Sequence, residues 1–596
     1  MAELLVERDL RFLLYEFLDT GALAGRPRYA EQSVELWDAV LETARKLAGD
    51  RFADHNAKGD ANEPVFSPDG ITLIPETKAA WDAFAAAGFL SAHWDAGEGG
   101  LQMPEVVLRA AMAWFNAANV ATVAYPFLTI GAANLLRAFG SPEQKRLFLA
   151  PMGDGRAAGT MALTEPGQGS ALGDIKTTAV PQADGSYRLF GQKMFISGGD
   201  QNLSENIVHM VLARIKGAPA GVKGISLFLV PKRLVDDQGR PGAANDVAVA
   251  GLLHKMGWRN TTSTVLSFGD RDGAVGTLVG EAGKGLAHMF RMMNEARIGV
   301  GLFAACIAYR GYRLALDYAR ERRQGRLPSS KDPLSPQVPL VDHADIRRLL
   351  LAQKAFAEGG LALCLTASSW FEDQQTHPAP EGRRRAGLLL DLLTPVVKSW
   401  PAKAGCQAND MAMQVAGGAG YTRDHQLEQL YRDQRLNPIH EGAEGIHGLD
   451  LLGRKVAMAD GAALKVFEEE VQTTIARVGR RDPLAPLAQQ LAAALKRLLE
   501  VSGPLVALQN TDPDRALANA AVYLDAFGRV VAAWVWLRQA MVAGAGLAAG
   551  RDEAFYRGKI QAARYFFAWE LPGAFPLFDL LERVDGIPLD MRDEWF

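Results

Sequence analysis

Cysteine is nearly absent from this chain of 596 residues: Cys306, Cys364 and Cys406 stand far apart. Without paired spacing they offer neither a disulfide framework nor a thiolate metal site, and a reducing, cytoplasmic setting is expected. An excess of charge of either sign is also missing. Lysine and arginine number 64 against 68 acidic residues, so the formal net charge of −4 gives the whole chain no pull toward nucleic acid or anionic lipid. The first twenty residues lack an uninterrupted apolar run. Glu3, Glu7, Arg8, Asp9 and Arg11 break up MAELLVERDLRFLLYEFLDT, which predicts an amphipathic helix rather than a signal peptide, and no stable membrane insertion is expected. The ten histidines form no H-E-x-x-H and no close set with carboxylates, so no metal site is expected. There is no G-x-S-x-G elbow. The glycine run at 544–550 lies in an Ala-rich helical stretch with the wrong spacing for a dinucleotide fingerprint.

What remains is a globular composition, 48% hydrophobic and 22% charged, on a chain longer than one core usually organises. Residues 1–155 carry helical spacing in segments such as KAAWDAFAAAGF and VLRAAMAWFNAANVATVAYPF. From 156 to 285 the texture changes to short β-prone runs cut by Gly, Pro, Asp and Asn, including SYRLFGQKMFIS, NIVHMVLARI and GISLFLVPK. Helical spacing returns over 286–458. The last segment, 459–596, places Leu487, Leu491, Leu495 and Leu498 on one helical face. The predicted class is mainly α with a small β domain.

Four segments carry candidate chemistry, and each has an ordinary structural reading beside it. MALTEPGQGS (161–170) leads from a strand into a glycine turn with hydroxyls at Thr164 and Ser170. Such turns expose backbone N–H groups to an anion or ring edge, yet they are also common connectors. GQKMFISGGD (191–200) alternates so that Phe195 and Ser197 share a strand face, which suits a planar heterocycle as well as it suits core packing. Helix NEARIGVG carries Arg297, and YARERRQGR ends the same run with Arg320, Arg322, Arg323 and Arg326; guanidinium groups fork onto phosphates or simply offset a helix dipole. QVAGGAGY and the later IHEGAEGI place Gly417, Gly418 and Gly420 near one another and Glu441 in a glycine-flanked turn, where a carboxylate faces either a cleft or solvent.

In this order the four segments resemble the acyl-CoA dehydrogenase family across roughly residues 60–455, and the long C-terminal segment is similar to the longer bacterial branch that includes 3-methylmercaptopropionyl-CoA dehydrogenases. The resemblance implies an α domain, a β-barrel-like domain and a four-helix bundle, with an added C-terminal helical domain and with FAD between the β domain and the bundle. It assigns Met161, Leu163, Thr164, Gly169, Ser170, Phe195 and Ser197 to the flavin. Arg322, Gln414, Gly417 and Gly418 go to the FAD pyrophosphate and adenine of a neighbouring subunit, hence a homodimer. Ser170, Arg297 and Gly442 go to the acyl-CoA, and Glu441 is the catalytic base. It implies α,β-dehydrogenation to the trans-2-enoyl-CoA, with electrons leaving for an electron-transfer flavoprotein. An α proton of a thioester is too weakly acidic for a carboxylate in water, so hydrogen bonds must stabilise the developing enolate, and a desolvated pocket would raise the pKa of Glu441.

The chain departs from the family at several points. Tyr-Glu-Gly-Thr is usual around the base, whereas here the residues are His440, Glu441, Gly442 and Ala443, followed by an unusual charge at Glu444. Gly325 replaces an expected aromatic in the arginine motif. Some relatives carry the base immediately before the helix arginine; that position is Ala296 here, and Glu295 lies about 100° around the helix, which favours Glu441. An oxygen-using acyl-CoA oxidase is one alternative. A nucleic-acid-binding flavoprotein is another, but residues 481–596 hold 12 basic against 14 acidic side chains and no basic run.

Overall fold

The computed structural model describes residues 3–596, apart from the side chains of residues 291–293. Two compact units emerge, one of residues 38–103 and 114–296, the other of residues 3–37, 104–113 and 297–596. The main helices are α1 (Val34–Leu47), α2 (Pro75–Ala86), α3 (Glu105–Ala118), α4 (Val120–Phe139), α5 (Pro142–Gly153), α6 (Gly285–Glu321), α7 (Ala344–Thr376), α8 (Pro380–Ala416), α9 (Gln426–Gln434), α10 (Glu444–Asp450), α11 (Ala462–Arg477), α12 (Ala485–Leu508), α13 (Ala520–Ala548), α14 (Glu553–Tyr565) and α15 (Ala574–Glu582).

In the first unit, helix starts follow local chemistry. The Asn119 side chain accepts from the Thr122 N–H at the head of α4, and Ser141 and Gln144 form a capping box around Pro142 at the head of α5. Phe52, Phe84 and Phe115 meet edge to face, with centroids 5.0–6.2 Å apart, at the centre of the helical part. A short hairpin, Val65–Ser67 with Gly70–Thr72, interrupts the expected all-helical stretch. Its turn signal is Pro68–Asp69–Gly70, with Gly70 at φ +118°, a conformation glycine adopts without a Cβ penalty.

The β domain is one eight-stranded sheet of β1 (Ala157–Ala162), β2 (Thr178–Pro181), β3 (Tyr187–Ser197), β4 (Asn206–Ile215), β5 (Ile225–Pro231), β6 (Val247–Leu252), β7 (Ser263–Phe268) and β8 (Ala274–Val279). The order is β6–β7–β3–β8–β5–β4–β1, with β2 pairing both β3 and β4; β1 runs parallel to β4. Strands β4 and β5 read as almost continuous apolar runs because both faces are covered. Val208, Met210, Leu212, Leu227 and Leu229 enter one core, and Val211, Ala213, Phe228 and Val230 enter another.

In the second unit α7 and α8 form a long hairpin of helices. Pro401 cannot donate to the Val397 carbonyl, and that freed oxygen is met by the Cys364 thiol at 4.0 Å and by close approach of Gly301. The C-terminal helices pack on this bundle through α13. Trp536 Nε1 donates to Ala355 O at 3.1 Å, and Trp534 stacks on Trp370 with centroids 6.1 Å apart. Leu487, Leu491, Leu495 and Leu498 of α12 are all buried. The N-terminal segment differs from the expected amphipathic helix: α-helical bonding covers only Glu7–Arg11, and a wide π turn follows over Phe12–Phe17. Phe12, Leu13 and Leu14 are consecutive and fully buried, which a one-faced helix would not permit. Helices α4, α7 and α13 are long and apolar enough to cross a membrane, and their apolar windows are 72%, 89% and 78% buried within the protein.

Candidate active site

The turn that carries Glu441 lies between α9 and α10. Glu441 has φ +54° and Gly442 φ +103°, so two successive residues occupy the left-handed half of conformational space. For a glutamate this costs on the order of 1 kcal/mol or more and persists only where surroundings impose it. Two buried side chains impose it here. His447 Nε2, on α10, lies 3.1 Å from the Glu441 carbonyl, and Lys398 Nζ, on α8, donates to the Gly442 carbonyl at 2.7 Å. Burial, with the charges of Arg297 and Lys398 nearby, drives His447 down to about 3. Its imidazole is therefore neutral, and Nε2 carries the proton that the carbonyl accepts. Gly442 is required twice over, by its φ and because a Cβ there would lie 2.8 Å from His447 Nε2.

The Glu441 carboxylate is half-buried, and among the described residues nothing hydrogen-bonds it. Burial pushes its pKa above the ordinary carboxylate value, opposed by the positive charges of Arg297 and Lys398. Burial likewise drives Lys398 down to about 7, partly offset by Glu441. Arg297, on α6, is buried, and its Nη1 donates to Asp450 at 2.8 Å. Burial alone would raise Asp450, but hydrogen bonds from Arg454 and the charge of Arg297 hold it below its usual value. Thus the three residues expected around the substrate in this unit, Glu441, Gly442 and Arg297, do share one cluster. Lys398, His447 and Asp450 belong to it as well, and the sequence reading missed them. The available signal for Lys398 was a lone lysine inside the apolar stretch LLTPVVKSWPA.

Glu444, the unusual charge beside the base, is directed elsewhere: Lys403 bridges it at 3.4 Å to Asp525 of α13 at 3.2 Å. Ala443 is exposed. Glu295, the alternative carboxylate, accepts from Asn134 Nδ2 at 2.8 Å.

A second group sits on the β domain. The 161–170 segment closes as a tight turn through reciprocal Glu165 and Gln168 backbone bonds. Glu165 itself points inward, where its carboxylate accepts from the Lys176 and Thr177 N–H groups at 2.6 and 3.0 Å and from Lys193 Nζ at 2.9 Å. Lys193 also donates to Leu163 O at 2.9 Å, and the Met194 N–H to Thr164 O at 2.9 Å, so the turn is clamped to β3. At that clamp two residues of β3, Met194 and Phe195, oppose one of β7, a bulge with Phe195 at φ +59°. The bulge leaves the Phe195 ring 63% exposed while Lys193 and Ile196 point inward. Met161, Leu163, Thr164 and Ser197 are half-buried, and Gly169 and Ser170 are exposed.

Elsewhere in the second unit Arg322, just past α6, is exposed, and so are Gln414, Gly417 and Gly418 at the end of α8. Gly417 has φ +59°, and a Cβ on either glycine would meet nothing within 4 Å. An uncovered aromatic plate beside a glycine turn, an exposed guanidinium and a separate open glycine turn are chemically suited to an aromatic ring and a diphosphate, so the residues present fit FAD.

Models of the acyl-CoA dehydrogenase N-terminal, middle and C-terminal domains match residues 37–156, 160–270 and 283–456, and an acetyl-CoA dehydrogenase C-terminal-like model matches 467–592. The chain belongs to the acyl-CoA dehydrogenase family, and with it to the FAD-dependent oxidoreductases. It is 36% identical to a 3-methylmercaptopropionyl-CoA dehydrogenase of Ruegeria pomeroyi over 94% of each chain. It is 34% identical to a broad-specificity linear acyl-CoA dehydrogenase of Mycobacterium tuberculosis over 99% of each. Among solved structures, a Bacillus anthracis acyl-CoA dehydrogenase complexed with FAD superposes with a TM-score of 0.74 at 20% identity, over 95% of this chain and 90% of that one.

Proposed function

We propose that the protein dehydrogenates the α,β bond of an unbranched acyl-CoA thioester to the trans-2-enoyl-CoA, with Glu441 as the base. The observation that carries this reading is the Glu441 turn: a carboxylate with raised proton affinity and no hydrogen-bond partner among the described residues, on a backbone pinned at both neighbouring carbonyls. FAD, when bound, supplies the acceptor for the hydride that leaves Cβ. Phe195 and the 163–170 turn would hold its ring, and Arg322 with the Gly417–Gly418 turn would hold the diphosphate of the FAD of a neighbouring subunit. The chain's own part is to bind, orient and deprotonate. The Glu441 N–H is available to donate to the thioester carbonyl, so that negative charge on that oxygen meets a fixed dipole as the Cα–H bond breaks. The proton ends on the Glu441 carboxylate. Raised affinity there narrows the gap to the acidity of the polarised substrate.

Unbranched substrates are favoured because one named relative is a broad-specificity linear acyl-CoA dehydrogenase. Transfer of electrons to an electron-transfer flavoprotein and assembly as a homodimer complete the proposal. Anaerobic mixing of the FAD-loaded enzyme with unbranched and α-branched acyl-CoAs tests it. Loss of flavin absorbance with the unbranched series, and formation of the 2-enoyl product, are expected. Retained FAD with no bleaching by any thioester would refute the reading.

A further inference from the structure

We propose that Lys398 is a positioning residue for the base: it fixes the Glu441–Gly442 turn through the Gly442 carbonyl and places a positive charge beside the carboxylate. This rests on the reading of Glu441 as the base.

Lys398 lies on α8 between Pro395 and Pro401 and is fully buried. Among the described residues its ammonium makes one hydrogen bond, to Gly442 O at 2.7 Å, although it has three protons to donate. A buried ammonium so sparsely bonded is expensive, and a neutral donor would cap a carbonyl at smaller desolvation cost. What lysine adds is charge, and the groups that feel it are all parts of the candidate site. Glu441 and Glu444 oppose it in sign from the turn and from the start of α10, Arg297 repels it from α6, and His440 and His447 beside it are held neutral by burial.

The arrangement has a consequence for the reaction. Burial raises the proton affinity of Glu441, and Lys398 and Arg297 pull it back. Arg297 is already committed to Asp450 at 2.8 Å, whereas Lys398 has no carboxylate within ion-pair distance among the described residues. Lys398 is thus the cation whose charge is least compensated locally. In its protonated form it favours ionised Glu441 before substrate binds, while its bond to Gly442 O holds the Gly442–Ala443 peptide that closes the left-handed turn.

The test uses the FAD-loaded enzyme and the pH dependence of kcat/KM for three substitutions, with Glu441→Gln alongside. The acidic limb of the profile reports ionisation of the base. Lys398→Met removes donor and charge: kcat at neutral pH is expected to fall about tenfold and the limb to move upward by about half a pH unit or more. Lys398→Gln keeps a donor without the charge, and should regain part of kcat while its limb stays displaced. Lys398→Arg should return the limb toward the parent position. A limb in the Met or Gln variant that coincides with the parent's overturns the proposal; should the Met variant fail to retain flavin, the Gln and Arg pair decides. If Glu441→Gln stays active, the base reading itself fails, whatever the Lys398 variants do.

Discussion

At residue scale the site depends on a conformation that side chains avoid. Glu441 and Gly442 both have positive φ, and their two carbonyls are held by groups 6 and 44 residues away in sequence. Gly442→Ala should be the most disruptive small change: it adds strain of about 1–3 kcal/mol and presses a methyl on the His447 ring. The expected outcome is a fall of at least about tenfold in the single-turnover rate of flavin reduction, with the far-ultraviolet circular dichroism unchanged. The buried histidines make a separate prediction. His209 and His447 are driven to about 3 by burial, far below an unfolded histidine. Each stabilises the fold fully above about pH 6.5, and that contribution is lost as pH falls toward 3, by up to about 1.4 kcal/mol per pH unit per residue. Urea midpoints should therefore drop between pH 7 and pH 5; equal midpoints would contradict the assignment. Glu441 stood out in the sequence as a candidate because glycine flanks it inside a recognisable motif. Lys398 was not, because its role arises from a contact between α8 and a turn that periodicity cannot place.

At the scale of elements, the bulge in β3 decides how the β domain presents its aromatic. Strict alternation would have sent Phe195 inward with Lys193; the extra residue turns the ring out and sends Ile196 inward. A residue 63% exposed contributes little to the apo-fold, so Phe195→Ala should change stability by less than about 0.5 kcal/mol. If the ring faces flavin, as proposed, the same substitution should lower FAD retention after gel filtration several-fold. Unchanged retention would remove Phe195 from the site. The strand itself was readable from its β-branched and aromatic composition. The bulge depends on its partner strand β7 and on the Glu165–Lys193 clamp beneath, neither of which a period of two encodes.

On the scale of the whole molecule, the order of helices, strands, helices and further helices was legible from texture alone, and the family fold follows it. What texture could not give is how the ends join the middle. Lys559 of α14 is fully buried between Asp9, near the N-terminus, and Glu358 of α7 at 2.8 Å, while Lys354 also pairs with Glu358 and Tyr309 donates to Asp9 at 3.0 Å. Such a cluster is costly to form, and breaking it by removing one partner is costlier. Lys559→Met, which leaves two carboxylates with a single lysine, should lower stability by about 3–5 kcal/mol in chemical denaturation. A loss below about 1 kcal/mol would show the tie to be incidental.

The central claim, that Glu441 takes the α proton, is tested most directly by comparing the FAD-loaded parent and Glu441→Gln under anaerobic conditions with a saturating unbranched acyl-CoA. The parent should bleach, and the variant should bind FAD and thioester normally yet reduce its flavin at least about a thousandfold more slowly. Bleaching of the variant at the parent's rate would contradict the account.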